Sequence, residues 1–416
     1  MQILKLERAR FINTFYLIFS LLTVSFLTAE AFPAAPPPSG GGLLVQVDTP
    51  SVFTPDPDAA AASKISGMDH RLFFRYALRF SGVKTADTEK YIEKYDSLSR
   101  EFDDYLEKTV NIRGKAADDY STGGDLLFFL HEKVLKRYSE METRLDVLLD
   151  KGIFNCVSSG IIYYALALRS NLDVTGIRTS DHAFCAVVIP GKTVDVETTT
   201  KHGFDPGEKK EFTDSFGKTG FIYTPPANYR DRREISQQEF LALILQNRIS
   251  ELQHKANYYD TLPLAVDRYT LLGTGEAYDD MMKEFKNHAV ELGNRKEYGK
   301  AVSFLSEAVS RYGTHPVISD AAGKLFYNQI VFFIEEGRTE KAEDFYRHYS
   351  SEPLISGRIL EDSMRVINEK KLYYFVMEKN FTDSHKEILM YHANNLISIR
   401  ERQEYLVFIY SRDIQR

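Results

Sequence analysis

The segment KGIFNCVSSGIIYYALALRS, residues 151–170, puts a cysteine at the head of a long apolar run. Asn155 is a favoured N-cap residue, and Val157, Ile161, Ala165 and Leu168 fall on one stripe, so the spacing predicts a helix from Cys156 to about Ser170. Cysteine is scarce here: the chain holds 2, Cys156 and Cys185, too few for a disulfide framework. A thiol at a helix start therefore calls for its own explanation. After the turn SNLD (170–173), the runs VTGIRT (174–179), HAFCAVVI (182–189) and KTVDVETT (192–199) read as strands, the last two joined at Pro190-Gly191. A helix followed by antiparallel strands predicts an α+β core.

If Pro190 and Gly191 form the hairpin turn, His182 stands opposite Thr199, with Glu197 diagonal to it and Asp195 four residues away. Side chains alternate along a strand, so Asp195 and Glu197 share a face. Cysteine at a helix start, His182 in DHAF and an acidic residue on the return strand together resemble the transglutaminase-like superfamily, which shares its catalytic arrangement with papain-type cysteine peptidases. The resemblance covers roughly residues 68–234 and is densest from Cys156 to Thr199. It departs at two positions: the family often has Gly two residues before the nucleophile and Trp two residues after the histidine, where this chain has Phe154 and Phe184. The resemblance implies Cys156 as nucleophile, His182 as the proton carrier between thiol and leaving amine, and a carboxylate that orients the imidazole. Register favours Glu197, and the family's frequent Asp-Pro-Thr superposes on Glu197-Thr198-Thr199. A bulge would shift the role to Asp195, so both acids stand as candidates.

The chemistry suits these residue types, because a thiol reacts as thiolate, and a helix N-terminus with an imidazole partner lowers a thiol's pKa. The backbone N–H of Cys156 is one candidate oxyanion donor. Asp150 occupies the papain-like glutamine position six residues upstream, which leaves the second donor open. Cys156, His182 and Cys185 make a poor metal site: Cys185 follows His182 by an odd offset, so if His182 faces the helix carrying Cys156, Cys185 faces away from it. No metal and no cofactor are expected, and both thiols are expected to be free.

The 416 residues suggest two or three domains. A net charge of −7, from 52 basic and 59 acidic residues without a long basic block, points away from nucleic acid. Lys5, Arg8 and Arg10 precede the apolar segment Phe11–Leu27, and Ala29-Glu30-Ala31 gives an A-x-A spacing. Residues 1–31 thus read as an export signal cleaved after Ala31, or as an uncleaved anchor that would be the chain's sole membrane contact. Both readings send the remainder to the periplasm or envelope of a bacterial cell. Residues 32–65, rich in Pro, Gly and Ala, read as a tether. HRLFFRYALRF (70–80), TEKYIEKYDSLSREFDDYLEKTV (88–110), GDLLFFLHEKVLKRYSEM (124–141) and RLDVLLDKG (144–152) read as helices leading into a transglutaminase-like domain at 66–234.

Residues 235–416 turn helical, beginning with a capping box at Ser236-Gln237-Gln238-Glu239. LPLAVDRYTLL (262–272), YGKAVSFLSEAVSRYG (298–313) and GRTEKAEDFYRHYS (337–350) read as second helices of successive pairs, with Ala265, Ala301 and Ala342 spaced by 36 and 41 residues. That period resembles tetratricopeptide repeats, and a fourth pair is expected at 358–397. Such a stack implies a surface for a protein partner. The combined expectation is an exported cysteine-nucleophile amide hydrolase or acyl transferase acting on a protein or peptide of the cell envelope. The alternative is a catalytically inactive protein-binding scaffold.

Overall fold

A computed structural model describes residues 51–416 except 115–116, 181, 208–210, 215–216, 223–231 and 414–416. The expected export segment, 1–31, and most of the expected tether lie outside the described residues. No helix among the described residues is long and apolar enough to cross a membrane.

The architecture is α+β, mostly helical with a small antiparallel sheet. The first helices are α1 (Pro57–Ala62), α2 (His70–Phe80), α3 (Thr85–Arg113), α4 (Asp119–Lys133) and α5 (Leu145–Lys151). A two-residue strand β1 (Arg137–Tyr138) pairs in parallel with β2 (Ile153–Phe154). Helix α6 (Cys156–Arg169) follows, then β3 (Asp173–Arg178), β4 (Ala183–Ile189) and β5 (Lys192–Val196). A separate hairpin joins β6 (Glu211–Asp214) to β7 (Gly217–Ile222), and β8 (Arg233–Ile235) completes the strands. The main sheet runs β5-β4-β3-β8, antiparallel throughout. The ladder pairs Cys185 with Val196, Ala186 with Asp195 and Ile189 with Lys192, the register expected from a Pro190-Gly191 turn.

Helix α6 packs across one face of this sheet, against β3 and β4. It is buried almost all round, from Val157 to Ala167. A helix with no polar face needs cover on every side, and α2, α4 and α7 (Gln237–His254) supply it. Phe240 of α7 fits where only glycine leaves room: a Cβ on Gly160 or on Gly176 would come within 2.8 Å of its ring. The capping box at Ser236 and Glu239 forms as the sequence predicts.

Beyond α7 come α8 (Thr261–Leu272), α9 (Gly275–Asn294), α10 (Tyr298–Tyr312), α11 (Pro316–Glu335), α12 (Thr339–Tyr349), α13 (Gly357–Glu378), α14 (Phe381–Ala393) and α15 (Ile399–Asp413). Each packs on the next from α8 to α15, while α9 also touches α11, and α11 touches α13. Ala265, Ala301 and Ala342 are buried where these helices meet.

Three expectations are corrected. The boundary at 234/235 is not a break, because Ile235 pairs with Gly176 in the sheet and one apolar core runs from Phe53 to Ile367. The run GDLLFFLHEKVLKRYSEM is helical only to Lys133: Val134 and Leu135 turn into the core, and Arg137 and Tyr138 join β2. Tertiary pairing there overrides local helix propensity. Residues 51–65, assigned to the tether, are packed. Asp56 caps α1 ahead of Pro57 and donates its own N–H to Asp267 at 2.7 Å. Phe53 stacks on Phe304 at 5.1 Å and meets Phe285 edge-on at 5.3 Å, while Ala59 and Ala62 are small enough to sit flush in the core. Truncating so well enclosed an aromatic should cost about 3 kcal/mol. Phe53→Ala is therefore expected to lower the urea midpoint of unfolding substantially while leaving alkylation of Cys156 in the native protein unchanged.

Candidate functional site

Cys156 is the first residue of α6. Asn155 caps the helix through a reciprocal box: its side chain accepts from the Ser158 N–H at 2.9 Å, and the Ser158 hydroxyl accepts from the Asn155 N–H at 2.9 Å. The Asn155 amide also donates to Thr143 Oγ1 at 2.7 Å, which anchors this helix start to the segment before α5. Cys156 is partly exposed and free of a disulfide.

His182 sits one residue before β4, in a tight turn. Thr179 N–H donates to the His182 carbonyl at 2.9 Å, and His182 N–H donates to Thr179 Oγ1 at 3.1 Å. Its ring lies over Phe184, 5.9 Å between centroids. Its Nε2 lies 2.7 Å from Glu197 Oε2, and the Cys156 thiol is among the groups that raise its pKa. Nε2 is thus committed to the carboxylate, and Nδ1 is the ring nitrogen that remains for a second partner.

Glu197 is wholly buried and its second oxygen is also used: Oε1 accepts from the Thr199 N–H at 3.1 Å and from the Thr199 hydroxyl at 2.6 Å. The backbone closes beneath it, with Glu197 N–H donating to Gly203 O at 2.8 Å. A Cβ on Gly203 would stand 2.0 Å from the Glu197 carbonyl oxygen, so this turn admits only glycine. Of the two candidate acids, the structure joins Glu197 to His182. Asp195 instead forms a two-pronged ion pair with Arg232, at 2.6 and 2.8 Å. No bulge interrupts the ladder up to Val196, so the register that separates the two acids is kept.

Cys185 corrects the facing argument. Its thiol donates to Gly160 O at 3.4 Å, so it points at the body of α6 rather than away from it. The alternation itself holds: Cys185 lies in the main core, while Phe184 and Ala186 belong to the opposite face. His182 reaches Cys156 because it stands beyond the strand's end, at the level of the helix start. Cys185 meets the helix one turn further along.

Four neighbours of the site were given no role by the sequence reading. Tyr138, expected within a helix, stands edge-on to Phe154 at 5.9 Å, and its phenol is pushed up by burial and by the charges of Cys156 and Glu197. His131 is pushed down to about 4 by burial, so it is neutral and donates Nε2–H to the Thr198 carbonyl at 3.1 Å. Thr198 in turn bonds Ser159 of α6 through their hydroxyls at 2.9 Å. No short-range motif connects residues 131, 138, 159 and 198; only the fold brings them together. Asp150, at the papain-like glutamine position, bonds Tyr91 and Lys94 instead.

Burial alone would lower the His182 pKa, but the Glu197 charge and the hydrogen bonds to Cys156 and Glu197 raise it well above its ordinary value. Burial alone would raise Glu197, but His182 and the Thr199 hydrogen bonds hold it below the usual carboxylate range. The signs define a window. The stability from His182 is complete below its unfolded pKa of about 6.5 and is lost as pH rises through the elevated folded value. The stability from Glu197 is complete above about 4.3 and is lost as pH falls through its depressed folded value. Ring 15N shifts of His182 should therefore report imidazolium at pH 8 in the native protein, and Glu197→Gln should return the titration toward about 6.5. Thr199→Val should cost about 2 kcal/mol in chemical denaturation at neutral pH, as for a lost hydrogen bond to a buried charge.

Comparisons of the chain with models of known families, with curated proteins and with solved structures find no match.

Proposed function

We propose that the protein is an exported cysteine-nucleophile amide hydrolase of transglutaminase-like type, acting on a protein or peptide of the cell envelope. One observation carries this reading: a single imidazole meets a buried carboxylate through Nε2 at 2.7 Å, and that carboxylate and the Cys156 thiol at a helix start both raise its pKa. An imidazolium held charged beside a thiol at a helix N-terminus favours the thiolate. Its sulfur attacks the amide carbonyl carbon. The C–N bond then breaks, the amine leaves with the proton from His182, and an acyl thioester remains on Cys156. Water, giving a proton to His182, attacks the thioester and releases the carboxylic acid with the thiolate restored. An amine in place of water would give acyl transfer.

Glu197 keeps the imidazole in one orientation, and Asp195 pairs with Arg232 instead. The N–H of Cys156 is one oxyanion donor, and Tyr138, whose partly exposed ring stands edge-on to Phe154 two residues before Cys156, is proposed as the second. The stacked helices α8 to α14 are read as tetratricopeptide-like pairs that hold a protein partner. Their support is the regular packing of each helix on its neighbours in sequence.

The fragment 51–416 tests this reading. Iodoacetamide should label the partly exposed Cys156 and leave Cys185 unlabelled in the native state, since Cys185 is buried and burial pushes its thiol up. His182→Ala should slow labelling of Cys156 sharply. With casein-derived peptides as substrate, Glu197→Gln should depress turnover more than Asp195→Asn, and Tyr138→Phe should lower kcat about 100-fold with little change in KM. Labelling indifferent to His182 would remove the enzyme reading and leave the helical stack as the seat of function.

A further inference from the structure

Arg178 ends β3, and Ser180 follows in the turn that holds His182. Facing them across a cleft of about 500 Å³ are residues of α7, α8 and α9. That volume falls within the range of roughly 300–1,000 Å³ typical of ligand sites. The cleft borders both the sheet that carries the candidate site and the helical stack.

Its charge is out of character for the chain. The walls carry four cations, Arg178, Arg268, Lys283 and Lys286, against two acids, Asp280 and Glu284, in a protein of net charge −7. Asp280 is shared between Arg268 at 3.1 Å and Lys283 at 2.8 Å. Glu284 is occupied by the Thr261 hydroxyl at 2.9 Å and the Gln253 amide at 2.6 Å. Burial also raises the Glu284 pKa. Among the described residues Arg178 forms its one ion pair with Glu276, at 4.0 Å, and Lys286 forms none. Arg268 is 5% exposed and spends one guanidinium nitrogen on Asp280, the one acid with which it forms an ion pair among the described residues.

The other lining groups narrow the ligand. Gln246 and Asn287 present amides, which offer donors and acceptors together. A phosphate would satisfy the donors and leave the amide oxygens without a partner, whereas a peptide backbone supplies both. Ile249, Ala265 and Met281 add an apolar floor, and no aromatic ring among the described lining residues is placed to stack a nucleobase. We propose that this cleft binds an acidic stretch of polypeptide, its carboxylates on Arg178, Arg268 and Lys286 and its backbone on Gln246 and Asn287. Where Cys156 acts as proposed above, the bound stretch flanks the amide presented to it, and that clause alone rests on the enzymatic reading.

Fluorescence anisotropy on the 51–416 chain carrying Cys156→Ala tests this without requiring turnover. The probes are a fluorescein-labelled octapeptide of alternating Glu and Ala and its twin with Gln in place of Glu. The Glu peptide should bind about tenfold or more tightly than its twin, and added salt should weaken it. Arg178→Glu with Lys286→Glu should weaken the Glu peptide at least about tenfold, and Lys286→Gln alone, at a half-exposed position, gives a milder loss in a chain that keeps its fold. Equal binding of the two peptides, binding indifferent to these substitutions, or no binding at millimolar peptide would overturn the proposal. So would displacement of the peptide by inorganic pyrophosphate at concentrations where free Glu peptide does not compete. Because the nucleophile is absent, failure here leaves the alkylation result untouched, and an inert Cys156 leaves the binding result untouched.

Discussion

Glu197 keeps an ionised carboxylate where no water reaches it, and an unpaired charge in such a place would cost several kcal/mol. Three donors answer that cost, one from His182 and two from Thr199. Each donor imposes a constraint. The strand must stop at Val196 so that the chain can bend back and offer the Thr199 amide to its own neighbour. The bend must close on Gly203, because no other residue leaves room for the carbonyl it faces. His182 must stand outside the sheet, so Thr179 grips it from both sides of one turn. His131 and Ser159 then pin Thr198 from the helices beneath. The geometry around Cys156 is in this sense the by-product of satisfying one buried carboxylate.

The two thiols show how much environment decides. Both meet α6, yet Cys156 lies at its first residue, partly exposed and beside a charged imidazole, while Cys185 is enclosed and spends its S–H on a helix carbonyl. A thiol with its proton committed in an apolar core is a small hydrophobe in practice. The contrast arises from one turn of helix and from the position of His182 beyond the strand.

Much of this was legible in the sequence. The helix start at Asn155-Cys156 and the turn at Pro190-Gly191 are local signals, and alternation carries the turn outward into a register that selects Glu197 over Asp195. The facing of Cys185 was misjudged because alternation was extended to a residue that stands outside the strand. Tyr138 was hidden by apolar spacing that continues past Lys133, where pairing with Ile153 and Phe154 outweighs helical preference. Residues 51–65 have the composition of a tether, and composition does not reveal that one phenylalanine finds two aromatic partners more than 200 residues away. His131 carries no signal at all without the third dimension.

The apolar interior is not continuous to the end of the chain. One core runs from Phe53 to Ile367, and a second, built on Leu372, Val376, Ile388, Ile397, Tyr405 and Ile409, is shared by the last three helices. Helix α13 belongs to both, so its middle turn, between Ile367 and Leu372, is the hinge of cooperativity between them. Near the smaller cluster, Ser384 Oγ and Arg402 Nε are buried without a hydrogen-bond partner among the described residues. A unit with few apolar contacts and unmet hydrogen bonds opens at lower free energy than the body it is attached to. The final third of the helical stack is therefore expected to open as a separate foldon, exchanging its amides before the sheet, α6 and the buried carboxylate do.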